Sequence, residues 1–163
     1  MRLFREIFAY ALFAAIVGLL SVWPRYALVD AEEAIISLSF SHAGKRVGEC
    51  RTLSQEELNE LPPNMRKPTD CPRERHPVRV ELRSGDDLLY KDLLAPSGIW
   101  ADGKANVYCR IVVPAGIHEI FVGMNDGVIE DGFAFQNQAS VDIRPGRNLV
   151  IHFDEQSQQF LFQ

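Results

Sequence analysis

The sequence predicts a mainly β protein in which an N-terminal transmembrane helix is followed by one antiparallel β-sandwich. Three observations support this prediction: an uncharged apolar stretch near the N-terminus, six later segments in which apolar and polar residues alternate, and short turn sequences between those segments. No later segment has the pattern of a helix that crosses between parallel strands, which disfavours an α/β architecture. The 163 residues leave room for one domain behind the helix, which excludes a multidomain enzyme.

The first predicted element is the uncharged stretch from Ile7 to Pro24. As a helix it would be about 27 Å long, close to the ~30 Å hydrocarbon core of a bilayer. Arg2 and Arg5 precede it, and this Lys/Arg bias predicts a cytoplasmic N-terminus and an exported remainder. Trp23 and Tyr26 are expected at the membrane–water interface on the exported side of the helix, where amphipathic aromatic rings collect.

A cleaved signal peptide is the alternative interpretation of this stretch. Val29-Asp30-Ala31 offers small or medium residues at the two positions that a signal peptidase reads. The apolar stretch is longer than the usual apolar region of about 7 to 15 residues in a signal peptide, which favours a retained helix. The predicted organisation is a cytoplasmic tip at 1–6, the transmembrane helix at 7–24, a linker at 25–33 and the exported sandwich at 34–163, with an insertion at 42–77.

Strands are predicted wherever apolar residues recur at every second position. The six clear cases have the following inward residues: Ile36, Leu38 and Phe40; Val78, Val80 and Leu82; Val107, Cys109, Ile111 and Val113; Ile120, Val122 and Met124; Ala139, Val141 and Ile143; Leu149, Ile151 and Phe153. Three weaker strands are predicted at 88–94, 133–135 and 160–162. Turns rich in Gly, Pro, Asn and Asp separate these segments at the short spacing of an antiparallel sandwich.

A long insertion, His42 to Pro77, interrupts this regular pattern after the first strand. Ser54 and Glu57 have the spacing of a capping box, which predicts a short helix. Cys50 and Cys71 bracket that helix. Outside the cytoplasm, a disulfide between them is expected, and it would stabilise the fold by about 3 kcal/mol through its constraint on the unfolded chain.

Charge is distributed unevenly along a chain whose formal net charge is -5. Residues 45–83 carry nine Lys or Arg against seven Asp or Glu, whereas residues 84–163 carry five against eleven. The acidic total disfavours a nucleic-acid-binding protein. Arg66, Lys67, Arg73 and Arg75 are candidates for binding an anionic partner, either a lipid headgroup or an acidic protein surface. The alternative is a solvated loop whose charges only maintain solubility.

Trp100 lies in a loop-like segment, residues 95–103, that contains Pro and Gly. In such a loop, Trp is expected either as an exposed anchor for a partner or as a platform on which a sugar stacks. The other interpretation, preferred for an isolated Trp, is that the ring folds back and closes one end of the sandwich.

The sequence predicts no catalytic residue, metal site or cofactor, because it contains no recognised nucleophile, zinc or nucleotide-binding motif. His118 and His152 are expected on the outward phase of their strands. The acidic segment 125–132 lacks the ligand spacing of a calcium loop and is interpreted as a connection between strands. Cys109 is expected to be a buried free thiol, with a bridge to Cys50 or Cys71 as the alternative.

The last third of the chain, Val112–Ile120 followed by Val141–Phe153, resembles the repeated strand, Pro/Gly turn, strand pattern of small bacterial envelope modules of the PEGA-like and transthyretin-like classes. The resemblance implies an Ig-like or transthyretin-like sandwich. It also implies a module that binds or scaffolds rather than one that catalyses.

These observations together lead us to expect a non-enzymatic accessory or assembly subunit of an inner-membrane protein complex, with a respiratory oxidase as one candidate host. The helix would lie in a bacterial inner membrane, with the N-terminus in the cytoplasm and the sandwich in the periplasm. One alternative is a module that binds envelope carbohydrate through Trp100 with Tyr90 or Tyr108. Another is a thiol-redox or metal-delivery protein.

Overall fold

The computed structural model describes residues 2–23, 29–128 and 132–163, and over these ranges it confirms a mainly β fold with an N-terminal apolar helix. Helix α1 spans Arg2–Val22, helix α2 spans Gln55–Glu60, and a 3-10 turn follows at Pro63–Met65. The strands of these ranges are β1 Glu33–His42, β2 Arg51–Thr52, β3 Thr69–Asp70, β4 Val78–Ser84, β5 Asp87–Leu94, β6 Ala105–Pro114, β7 Gly116–Asn125, β8 Phe135–Ile143, β9 Asn148–Asp154 and β10 Gln159–Phe162.

Helix α1 is long and apolar enough to cross a membrane. Its 21 residues span about 32 Å, and all of its side chains are exposed. It begins at Arg2 rather than at the predicted Ile7. Arg2 and Glu6 approach to 4.0 Å in an ion pair one helical turn apart, which supports this extra turn.

Of the two aromatic residues predicted at the membrane–water interface on the exported side, the structure describes only Trp23. Trp23 directly follows α1; its amide donates to the Leu19 carbonyl at 2.9 Å, and its side chain is exposed. Pro24 and Tyr26 lie outside the described residues, as do residues 25–28 of the predicted linker. The position of Tyr26 at the interface therefore stays a prediction.

Two four-stranded sheets form a sandwich-like body. The first sheet has the order β10-β9-β1-β6 and the second has the order β5-β4-β7-β8. Neighbouring strands are antiparallel except β1 and β9, which pair in parallel over Ile35–Leu38 and Asn148–Ile151. The expectation of a fully antiparallel sandwich is therefore corrected at this pair. The turn at 144–147 carries the chain from β8 in the second sheet to β9 in the first instead of forming a hairpin.

The core lies between the two sheets and consists of the inward residues of the predicted alternation. The side chains with no exposed surface include Ile36, Leu38, Val78, Val80, Leu82, Ile120, Val122, Met124, Ile151 and Phe160. The weak prediction of a strand at 160–162 is confirmed by β10, whose Phe160 ring lies 5.1 Å from that of Phe153.

Phe133 does not belong to a strand, so the predicted strand at 133–135 is wrong for all but its last residue, where β8 begins. The Phe133 ring lies over Gly123 of β7, where a Cβ atom would come within 2.5 Å of the ring. Glycine at this position therefore makes room for an aromatic ring on the outer face of the second sheet.

The strand directions give the sandwich two distinct ends. Strand β1 begins at Glu33, close in sequence to the linker, and ends nine residues later at His42, the far end of a strand about 33 Å long. His42 pairs with Ala105 of β6. The insertion after β1 and the loop before β6 therefore emerge together. We call this the insertion end and the opposite one the entry end.

Glu81 of β4 is an almost completely buried carboxylate on the outer face of the second sheet, with 3% of its surface exposed. Burial on its own would raise the pKa of Glu81, but hydrogen bonds and ion pairs from Lys91 (3.3 Å) and Arg83 outweigh it and hold the pKa below its usual value of 4.5. The ionised carboxylate therefore stabilises the fold above pH 4.5, and this contribution is lost as the pH falls through the lowered pKa.

We expect Glu81→Gln to lower the free energy of unfolding at pH 7 by about 1–3 kcal/mol, because Lys91 and Arg83 lose their charged partner. The variant should also lose less stability than the wild type when the pH falls from 7 to 3.5. Urea unfolding followed by circular dichroism measures both effects. Glu119→Gln, which removes an exposed carboxylate from β7, is the matched control. Equal unfolding free energies for the two variants would contradict the prediction.

Candidate functional site

The insertion folds into a ribbon at the insertion end of the sandwich. Residues 43–52 form its first leg, and residues 69–77 form the second leg, which returns to the sandwich. The amide of His76 donates to the Lys45 carbonyl and the amide of Val47 donates to the Glu74 carbonyl, each at 2.8 Å. Strands β2 and β3 continue this pairing further out. The two legs are therefore held side by side by backbone hydrogen bonds.

A disulfide between Cys50 and Cys71 joins the two legs, with their Cα atoms 4.2 Å apart. The predicted bridge is thus present in the structure, and a disulfide fits an oxidising compartment. Cys109 is free and half-buried, and burial raises the pKa of its thiol. The alternative bridge involving Cys109 is therefore wrong.

Helix α2 closes the outer end of the ribbon, and the predicted capping box is confirmed. The Glu57 amide donates to Ser54 Oγ at 3.3 Å, and the Ser54 amide donates to Glu57 Oε2 at 2.8 Å. This backbone hydrogen bond and the one from Arg51 Nη1 at 2.6 Å hold the pKa of Glu57 below its usual value. The cation of Arg51 is therefore compensated within the ribbon.

Arg75 connects the ribbon to the loop that carries Trp100. Its Nε donates to the Asp102 carbonyl at 2.9 Å and its Nη1 donates to the Gly44 carbonyl at 2.8 Å. Its backbone amide donates to the Ala101 carbonyl at 2.9 Å. The sequence prediction treats Arg75 as a contact for a partner, whereas the structure uses its guanidinium to fasten two loops to each other.

Asp126 fixes the base of the ribbon from the other side. Its carboxylate is buried, accepts a hydrogen bond from His42 Nε2 at 3.2 Å and lies 3.5 Å from Lys45 Nζ. The Lys45 amide donates to the Asp126 carbonyl at 2.7 Å. At Gly44 a Cβ atom would lie 2.0 Å from the His76 carbonyl oxygen, so only glycine allows the legs to approach this closely.

Trp100 is exposed to solvent, and the interpretation that it closes one end of the sandwich is wrong. The side chains of Ile99 and Trp100 are 94% and 70% exposed. At this end of the sandwich, the rings of His42, Phe135 and Phe153 already pack together, with centroids 5.1–5.8 Å apart. The Trp100 ring is therefore not required to close the core.

A basic groove with a volume of about 380 Å³ is lined by Arg46 of the first leg and by residues between 67 and 73, in or just before the second leg. Its charged lining residues are Arg46, Lys67, Arg73 and Asp70. Arg46 Nη1 donates to the Pro72 carbonyl at 2.6 Å, which fixes one guanidinium in the groove. Among the described residues, Arg46, Lys67 and Arg73 form no ion pair.

The groove and the Trp100 loop adjoin at Arg75; we call the two together the insertion-end patch and define it by Arg46, Lys67, Arg73, Ile99 and Trp100. Its two parts are connected through residue 75, which is hydrogen-bonded to the Trp100 loop and lies at most about 7 Å along the chain from residue 73. The patch thus combines uncompensated cations with exposed apolar side chains.

Arg66, the remaining predicted contact residue, lies outside this patch. Its Nε donates to the Leu61 carbonyl at 3.0 Å and its Nη2 donates to the Asn59 carbonyl at 3.3 Å. These carbonyls belong to the end of α2, where backbone acceptors lack partners within the helix. Arg66 therefore completes the helix end rather than facing the groove.

Two tyrosines proposed for sugar binding occupy different environments. Tyr90 packs against the core and donates from its hydroxyl to Asp92 Oδ2 at 3.0 Å; burial and the Asp92 carboxylate raise the pKa of Tyr90 to about 12. Tyr108 is exposed and lies opposite Ser39 in the register of β6 and β1. Only Tyr108 presents an accessible ring.

The prediction that His118 has an outward phase is wrong. His118 lies on the same phase of β7 as the buried Ile120, and its ring is half-buried. Its Nδ1 lies 2.9 Å from Ser84 Oγ and its Nε2 lies 2.8 Å from the Pro114 carbonyl. The described residues contain no group of three or more His, Cys, Asp or Glu placed to hold a metal ion.

We expect Arg75→Met to loosen the base of the ribbon, because the variant keeps the aliphatic length but removes two charge-assisted hydrogen bonds. Hydrogen exchange at the backbone amides of Lys45, His76 and Gly103 should become about tenfold faster or more, which corresponds to a local loss of about 1.4 kcal/mol. Arg73→Met is the matched control, since Arg73 has no comparable hydrogen bonds to backbone carbonyls within the described ranges. Exchange that is unchanged in Arg75→Met would contradict this role.

The comparisons with known proteins do not assign the insertion-end patch. No family model, curated protein or solved structure matches the chain. The function is therefore inferred from the charges, exposures and hydrogen bonds of the patch itself.

Proposed function

We propose that the protein is a non-enzymatic, single-pass accessory subunit of a bacterial inner-membrane complex, and that its Ig-like or transthyretin-like sandwich docks onto a periplasmic partner surface. The observation that carries this proposal is the insertion-end patch, where the loop of the exposed Trp100 is joined through Arg75 to a segment that carries cations without ionic partners. Exposed Trp and Arg side chains are typical of residues that contribute most to protein–protein binding.

The proposed anchor is supported by α1, which has the length and hydropathy of a membrane span. The two arginines in its first turns favour a cytoplasmic N-terminus, and the Cys50–Cys71 disulfide fits an exported domain. Small residues within the helix would allow close approach of partner helices; they are Ala9, Ala11, Ala14, Ala15 and Gly18.

The position of the patch also supports a role in docking to a protein. The chain enters the sandwich at Glu33, and the patch lies at the other end of a strand about 33 Å long. Arg75 and Asp126 hold the two loops of the patch in place before any partner arrives. Such preorganisation lowers the entropic cost of association.

The test is site-specific photo-crosslinking in the native membrane. A photoreactive amino acid at Ile99 should capture one membrane-complex subunit that also copurifies in mild detergent, and the yield should fall at least about tenfold when Trp100→Ala or Arg73→Gln is added. The matched control is the same photoreactive group at Ile117, the second residue of β7, which lies at the entry end and is 77% exposed. Recovery of the protein alone, as a monomer, from mild detergent would contradict the proposal.

A second candidate function, binding of envelope carbohydrate, is supported by the 70% exposure of the Trp100 ring. Under this alternative, Trp100→Ala should abolish retention on purified cell-wall glycan while the copurifying subunits stay unchanged. We expect the opposite result, because the cations beside Trp100 suit an acidic protein surface better than a neutral sugar. Ile117→Ala, which removes an exposed apolar side chain at the entry end, is the control.

The thiol-redox alternative has weaker support. Cys109 lies in β6 on the sandwich, whereas the disulfide lies in the insertion. The raised pKa of the Cys109 thiol disfavours the thiolate, which is the reactive form.

A further inference from the structure

We infer that the groove of the insertion-end patch binds a carboxylate from an acidic segment of the partner, while an apolar neighbour in that segment packs on Ile99 and Trp100. This inference rests on the proposed docking function and names its chemistry. The recognised feature would be an acidic residue next to a large apolar residue, presented by an exposed stretch of the partner protein.

The charge balance of the groove favours an anionic ligand. Three other cations at the insertion end have carboxylate partners: Lys45 pairs with Asp126, Arg51 with Glu57 and Lys104 with Glu155. Arg66 and Arg75 instead donate to backbone carbonyls. The three cations of the groove have none among the described residues, and the groove contains one carboxylate, Asp70. An incoming carboxylate would meet an excess of positive charge, which favours its binding and its approach.

The second argument is that the groove is already shaped for a ligand. The guanidinium of Arg46 is held by the Pro72 carbonyl, and the disulfide at Cys71 forms part of the groove wall. Arg46 also pairs with Arg75 through an isolated β-bridge, so its backbone is fixed by the same residue that holds the Trp100 loop. A guanidinium with a fixed orientation is suited to the planar oxygen pair of a carboxylate.

The third argument concerns the class of the ligand. A volume of about 380 Å³ accommodates one or two side chains and not a folded element. Inorganic phosphate could use the same cations, but it would leave the adjacent Ile99 and Trp100 without a function. A membrane surface is disfavoured because the patch lies at the end of the sandwich opposite the point where the chain enters from α1.

The test uses the full chain in nanodiscs and reads the fluorescence of Trp100. The sequence contains two Trp, so Trp23→Phe leaves Trp100 as the single tryptophan of the chain, and excitation is chosen to avoid the tyrosines. A ten-residue peptide of alternating aspartate and leucine should shift the emission to shorter wavelength in a saturable manner, and binding should weaken as salt is added. A peptide of alternating lysine and leucine should give no saturable shift.

Variants identify the groove as the source of binding. Lys67→Gln with Arg73→Gln should weaken binding of the aspartate–leucine peptide by about tenfold or more. Arg144→Gln with Arg147→Gln removes two exposed cations from the turn at the entry end and is the matched control, which should bind as the parent does. Equal affinity of the groove variant and the parent would overturn the inference.

Three further measurements test whether the ligand is an acidic segment with an apolar neighbour rather than another anion. Inorganic phosphate alone should not shift the Trp100 emission, and an aspartate–serine peptide should bind more weakly than the aspartate–leucine peptide. Exchange of zwitterionic for anionic lipid in the nanodisc should leave the emission unchanged. A response to phosphate or to anionic lipid as strong as that to the aspartate–leucine peptide would overturn the inference. If crosslinking from Ile99 persists while the groove variant binds normally, docking stands and the carboxylate chemistry fails.

Discussion

The pairing of β1 with β6 is the constraint on which the rest of this molecule depends. The two strands are in register over ten residues, so Glu33 lies opposite Pro114 at one end and His42 lies opposite Ala105 at the other. The insertion leaves the sandwich from His42, and the Trp100 loop arrives at Ala105. Two loops that are distant in sequence are therefore brought to the same end, away from the point where the chain enters the sandwich.

Neighbouring loops form a preorganised surface when their relative positions are fixed. Arg75 and Asp126 fix these two loops from opposite sides of the ribbon. Arg75 donates to carbonyls in both the ribbon and the Trp100 loop. At the base of the ribbon, the buried Asp126 carboxylate accepts a hydrogen bond from His42 and forms an ion pair with Lys45. Breaking either connection would leave a buried polar group without its partner, which is costly. The ribbon thereby gains a defined orientation although it contains only short strands and a short helix.

Local patterns in the sequence predicted most of the elements because each pattern reports a local physical requirement. The alternation at Ile36, Leu38 and Phe40 indicates a strand with one buried face, and Ser54 with Glu57 indicates a capped helix. The same reasoning failed at Phe133, whose place over Gly123 depends on a strand ten residues away, and at His118, where the strand phase was misassigned. It also missed Asp126, since its partner His42 lies 84 positions earlier in the chain.

The sequence by itself determined the elements, the apolar N-terminal helix, the cysteine pair and the basic character of the insertion, because propensity, periodicity and charge are properties of neighbouring residues. Only the tertiary structure decided which of the insertion's cations line the groove. Arg66 and Arg75 satisfy backbone carbonyls, whereas Lys67 and Arg73 face the groove. It also decided that Trp100 is exposed, because other rings fill that end of the core. Such outcomes depend on contacts between distant segments, which no local pattern encodes.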